Sequence, residues 1–93
     1  MTVLVIETAS LPLRGNLCKW MLEAKPGVFI GKINPIIREM LWNLVKRDAE
    51  TAGALLIYNA PTEIGFQIEM YGEPTRNIVD LDGLQLIKTR ENS

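Results

Sequence analysis

Hydrophobic and polar positions divide most of the chain into seven short patterns. Val3 to Ile6 is an apolar run rich in β-branched side chains, and it predicts a buried strand that ends at Glu7. Pro12 suits a first helical turn, and Leu13, Leu17, Trp20 and Met21 recur at helical spacing, so a short amphipathic helix is predicted over Leu13 to Glu23. Lys25-Pro26-Gly27 closes it. On this reading Arg14 falls in the first turn, where the helix dipole disfavours a cation unless an anion accompanies it. Val28 to Gly31 reads as a brief strand. Asn34 followed by Pro35 is a side-chain cap and a first-position proline, which starts a second helix running to about Thr51. Its core stripe is Ile36, Ile37, Met40, Leu41, Leu44 and Val45, and Gly53 is placed as a left-handed stop.

Ala54 to Tyr58 is a further strand-like run, and Asn59 to Glu63 has the composition of a turn. Phe66, Ile68 and Met70 then alternate with Gln67, Glu69 and Tyr71, the pattern of a strand with one wet face, paired antiparallel to the strand before it. Gly72-Glu73-Pro74 breaks that strand. Thr75 to Val79 reads as a loop, Asp80 to Gly83 as a turn, Leu84 to Lys88 as a last strand, and Arg90 to Ser93 as a polar tail. The order β-α-β-α-β-β-β fits an α+β layer, one antiparallel sheet with two helices on one face. If Val5, Phe29 or Tyr58 and their neighbours line the other face, a second subunit is its natural cover. A homodimer with sheets stacked face to face is the expected assembly.

Composition narrows this picture. Ninety-three residues, 47% hydrophobic and 23% charged, without repeats or a low-complexity tract, describe one globular domain over residues 1–93. No run approaches the roughly 18 apolar residues of a membrane helix and no export signal is visible, so a soluble, cytoplasmic protein is expected. Cys18 is the one cysteine, flanked by Leu17 and near Trp20, which suggests a buried thiol in a reducing compartment. Ten basic and eleven acidic side chains give a net charge of −1, so any nucleic-acid site must be local rather than a basic surface. The chain contains no histidine, which removes Ser-His and Cys-His nucleophile pairs and imidazole metal sites.

Among the remaining groups, Asp80 and Asp82 resemble half of a divalent-cation loop, but no glutamate follows at the spacing a calcium loop needs, and Asp-Leu-Asp-Gly is equally a plain turn. Glu63 and Glu69 read as a solvated turn and a wet strand face. Glu7 has two readings: an exposed acid at a strand end, or a Mg²⁺ ligand and catalytic carboxylate whose second acid comes from the other subunit. Arg14 at one helix start and Gly31-Lys32 before the other place cations near free amide protons, a local phosphate-binding logic. Arg76 lies in the loop after the hairpin. Trp20 and Trp42 read as core or interface, since no exposed aromatic ladder for stacking bases is present.

Taken together, Leu13-Arg14-Gly15, Trp20 to Glu23, Gly27 to Gly31, Ile37 to Trp42, Thr62 to Phe66 and Val79 to Leu84 resemble the second CRISPR-associated adaptation protein, "Cas two", of the type I-E branch. The resemblance covers essentially the whole chain. It implies a ferredoxin-like fold, a symmetric dimer and a role in spacer acquisition: a scaffold that bridges two dimers of the integrase, "Cas one", and positions double-stranded DNA for insertion into the CRISPR array. Arg14 and Arg76 match arginines that contact the DNA backbone in the family. The C-terminal strand and tail, here with Leu84, Leu86, Ile87 and Lys88, match the part that docks on the integrase. Relatives carry further cations where this chain has Pro12, Ile36 and Thr75, so fewer phosphate contacts are expected, with Lys32 or Arg38 as substitutes. Glu7 matches a strand-end acid proposed in the family for a Mg²⁺-dependent endonuclease acting on RNA or DNA. That activity is the alternative to the scaffold role.

Overall fold

The computed structural model describes residues 1–72. The expected last strand and its flanking segments, including Arg76, Asp80, Asp82 and Leu84 to Lys88, lie outside the described residues. Seven elements follow one another: β1 (Thr2–Glu7), α1 (Leu11–Leu17), β2 (Leu22–Lys25), β3 (Val28–Gly31), α2 (Pro35–Arg47), β4 (Gly53–Asn59) and β5 (Phe66–Gly72). The strands form one five-stranded sheet in the order β2-β3-β1-β4-β5, and every neighbouring pair is antiparallel. The class is α+β, as the hydrophobic pattern implies.

Alternation along β1 sorts the layers. Thr2, Leu4 and Ile6 are buried while Val3, Val5 and Glu7 are half-buried. Leu4 and Ile6 join one cluster with Leu13 and Leu17 of α1 and Leu41, Trp42 and Val45 of α2, so both helices cover the same sheet face. Register extends that face across the sheet: Leu4 lies opposite Phe29 and Leu56, and Ile6 opposite Ala54. Phe29 and Tyr58 therefore belong to the helix side, not to the far face where the sequence reading put them. The far face consists of Val3, Val5, Val28, Ile30, Leu55 and Ile57, with Phe66, Ile68 and Met70 continuing it onto β5. Neither helix covers it.

Three sequence expectations are corrected. The first helix stops at Leu17 rather than Glu23, and Leu22–Lys25 is an edge strand. Pro26-Gly27 is the hairpin turn that joins it to β3, with Gly27 at φ +82° as a type II turn requires. Leu, Glu, Ala and Lys are good helix formers, but tertiary pairing to β3 overrides that propensity. Gly53 is not a helix stop: it opens β4, opposite Glu7, and α2 ends instead at Arg47 with Asp48 as its C-terminal cap. Cys18 is exposed, because α1 ends there and turns its side chain out of the stripe that buries Leu13 and Leu17. Trp42 is core, whereas Trp20 is about half exposed.

Two local devices fix the helices and the β2–β3 hairpin. The Ser10 hydroxyl caps α1 by accepting from the Leu13 amide at 3.3 Å and donates to Asp48 Oδ1 at 2.6 Å. The other Asp48 oxygen accepts from the Thr51 hydroxyl at 2.8 Å and the Ser10 amide at 3.3 Å. One carboxylate thus ties the start of α1 to the end of α2. These donors, the Ser10 hydroxyl first, hold the Asp48 carboxyl below its ordinary value of 3.8, against the opposing effect of burial. The second device is Gly27, whose carbonyl accepts from the Ile6 amide at 2.8 Å. A Cβ at Gly27 would lie 2.6 Å from the Ile6 carbonyl oxygen, so the hairpin turn can approach β1 only without a side chain.

Two measurements check this description. Leu4→Ala, at a position 1% exposed, is expected to lower the unfolding free energy by about 2–5 kcal/mol in urea titrations, through lost burial and a residual cavity. Asp48, with its native pKa below the unfolded one, stabilises the fold fully above the unfolded value near 3.8, and this contribution disappears as pH falls through the lower native value. Asp48→Asn is therefore expected to lose stability at neutral pH and to flatten the dependence of the urea midpoint on pH below about 4.

Candidate nucleic-acid interface

The candidate cations sit on or beside the helix layer. Ser10 caps α1, so Arg14 is the fourth helical residue and, in a helix of seven, belongs to the last turn. The sequence expectation that it occupies the first turn is thereby corrected, and the dipole favours a cation here. Its partner is a carboxylate carried by β2, not by the helix. A register shift between Glu23 and Lys25 in β2 sets Glu23 opposite Phe29, on the face covered by the helices. Arg14 Nη1 donates to Glu23 Oε2 at 2.9 Å, and the same oxygen accepts from the Gly27 amide at 3.0 Å. Arg14 Nε lies 3.5 Å from the Ala9 carbonyl oxygen, a weak additional tether. The side chains of the pair remain 36% and 23% exposed, so the arginine can be reached from solvent.

Lys32 is exposed and lies two residues before Asn34, whose side chain caps α2 by accepting from the Ile37 amide at 2.8 Å. Arg38 is the fourth residue of α2 and half-buried, with its guanidinium 3.6 Å from the centroid of the Tyr58 ring. That stack fastens α2 to β4 and leaves Arg38 Nε buried without a hydrogen-bond partner among the described residues. The Tyr58 hydroxyl donates to Glu69 Oε2 at 2.6 Å, and this bond and burial hold the phenol above its ordinary value. Glu69, read from sequence as a solvated residue of a wet face, instead anchors a Tyr58-Arg38 stack beneath the helix. Arg38 is thus a packing residue as well as a cation. Arg14 is carried by α1 and paired to β2, Arg38 is carried by α2 and stacked on β4, and Lys32 lies in the connection between β3 and α2.

Glu7 lies on the opposite sheet face from the Arg14–Glu23 pair and the Arg38–Tyr58 stack. It is an odd position of β1, on the far face with Val3 and Val5, at the end of the strand. Across the sheet its neighbours in register are Gly53 and then Gly72, so no side chain stands beside it in that row of β4 and β5. Behind it, Thr8 adopts a left-handed conformation with φ 59°, rare for a β-branched residue. The Thr8 hydroxyl lies 2.6 Å from the Glu50 carbonyl oxygen and accepts from the Ala52 amide at 3.2 Å, which fixes the exit of β1 against the segment before β4. Among the described residues no group of three or more acidic, cysteine or histidine side chains converges to hold a metal ion. A hard dication bound there would need further oxygen ligands besides the Glu7 carboxylate, from water, substrate or another acid.

A shallow depression of about 200 Å³ opens between the helices, lined by Pro12, Leu13, Asn16, Leu44, Arg47 and Asp48. Its charged rim carries both signs and so provides no net field for an anion. No helix among the described residues is long and apolar enough to cross a membrane.

The sequence that builds this arrangement matches a family model described as CRISPR-associated protein (Cas_Cas2CT1978) over residues 1–86. The match includes all seven elements and the positions of Glu7, Arg14, Glu23 and Lys32. The chain belongs to this family of Cas2-like CRISPR-associated proteins.

Proposed function

We propose that the protein acts in CRISPR adaptation as a non-catalytic, dimeric DNA-binding scaffold between integrase dimers, as the resemblance to the type I-E branch implies. The observation that carries this reading is the separation of its charges. Arg14, on the helix side, is still reachable from solvent and Lys32 is exposed, while Glu7 lies at the end of β1 on the opposite, uncovered sheet face. A few local cations suit phosphate contacts shared with a partner that also grips the duplex. Arg76, and Leu84, Leu86, Ile87 and Lys88 as integrase-docking residues, complete the proposal from the resemblance.

The first six elements run β-α-β-β-α-β, with their strands in the order β2-β3-β1-β4, which is the arrangement of a ferredoxin-like fold to which β5 adds an edge. On that framework the far face is the dimer interface of our reading. Val3, Val5, Val28, Ile30 and Ile57 are half-buried there and Met70 is 46% exposed, an apolar surface of the kind a second sheet covers.

The same geometry favours one second reading. In that reading, a Mg²⁺-dependent endonuclease, the second acid would be Glu7 of the other subunit, across a dimer formed on that face, beside the side-chain-free Gly53 and Gly72. Bound there, Mg²⁺ would supply charge for a phosphodiester transition state, and Glu7 would supply ligand oxygens.

Three outcomes are expected. Spacer acquisition is lost in Arg14→Ala/Arg76→Ala and retained in Glu7→Ala; normal acquisition by the arginine double variant overturns the scaffold reading. Arg14→Ala alone lowers duplex affinity irrespective of sequence and reduces the slope of log affinity against log salt by about one unit, measured by fluorescence anisotropy. Val5→Lys converts a dimer to a folded monomer in light scattering and circular dichroism, because it places a cation on the proposed sheet interface without touching the helix-side core.

A further inference from the structure

We infer that Glu23 is the positioning residue of Arg14: it fixes where the guanidinium lies and holds its charge in an internal pair that a nucleic-acid phosphate then displaces. This inference rests on the phosphate role proposed for Arg14.

The two ends of the pair are held differently. Glu23 projects from β2 because of the register shift at Ala24, and its Oε2 accepts from the Gly27 amide as well as from Arg14. Gly27 is itself immobilised, since its carbonyl accepts from the Ile6 amide at the central strand and its φ of +82° excludes a side chain. Arg14, by contrast, is held by one strong contact and one 3.5 Å tether, so most of its guanidinium donors have no partner among the described residues. A carboxylate that keeps a backbone donor can release its arginine at small cost. A partly exposed ion pair is worth about 1 kcal/mol, little beside a charge-assisted bond to phosphate shared over several contacts.

Two consequences follow from this arrangement. The Glu23 negative charge opposes the incoming phosphate and lowers duplex affinity, while the Glu23 oxygen orients Arg14 toward it. Gln at position 23 removes the first effect and keeps an acceptor for both hydrogen bonds. Ala removes both. The full chain is titrated with a fluorescent duplex at several salt concentrations, as wild type, Arg14→Ala, Glu23→Gln, Glu23→Ala and Arg14→Ala/Glu23→Gln, with melting temperatures recorded for each.

Glu23→Gln is expected to bind about three- to fivefold more tightly than wild type, matching the strength of a partly exposed pair. Glu23→Ala should gain less than Glu23→Gln, and the gain from Gln should vanish when Arg14 is absent. A change in melting temperature alone, with no difference in binding, assigns Glu23 to folding and overturns the inference. So does an equal gain with and without Arg14, which would make Glu23 a general repulsive charge. Should Arg14→Ala itself leave binding unchanged, the underlying phosphate role fails, and that result is distinct from failure at Glu23 with Arg14 intact.

Discussion

The structure depends on β1 being paired along both edges. It bonds to β3 on one side and β4 on the other, and the side-chain alternation of its six residues sets which layer each neighbouring strand serves. Leu4 and Ile6 face two helices; Val3, Val5 and Glu7 face away. The crossovers through α1 and α2 then fall on one side, and β2 and β5 occupy the edges. The Ser10–Asp48 tie joins the two helices to each other, and the Gly27–Ile6 contact holds the hairpin turn against this strand.

Most of the architecture was readable wherever one signal dominated. The Asn34-Pro35 start, the Phe66 to Met70 alternation and the β-branched run of β1 each correspond to an observed element, although the side of β5 read as wet packs toward the helix layer through Glu69 and Tyr71. β2 was illegible for a physical reason. Leu22, Ala24 and Lys25 are exposed and Glu23 only half-buried, so an edge strand with a bulge has no alternation to display, while its residue types favour helix.

That single misreading affected the candidate site most. Cations were legible as types at positions, but their partners depend on register. Extending α1 to Glu23 hid the carboxylate that Arg14 meets and placed Arg14 at the wrong end of its helix. The Arg38–Tyr58–Glu69 stack was hidden for a related reason, since it joins a helix to two strands distant in sequence. A wet-face glutamate and a surface arginine look the same before their elements are packed.

The division of β1 into even and odd positions has a genetic consequence. Substitutions at residues lining the helix side and at residues lining the far face act on different physical surfaces joined only through a central backbone. Alleles from the two groups are therefore expected to fall into separate classes, which combine additively when their sites do not touch. An insertion within β1 belongs to neither class. It reverses the facing of every later residue in the strand, exchanging Leu4 and Ile6 with Val3, Val5 and Glu7, and a strand paired on both sides has no free edge at which to bulge the extra residue out.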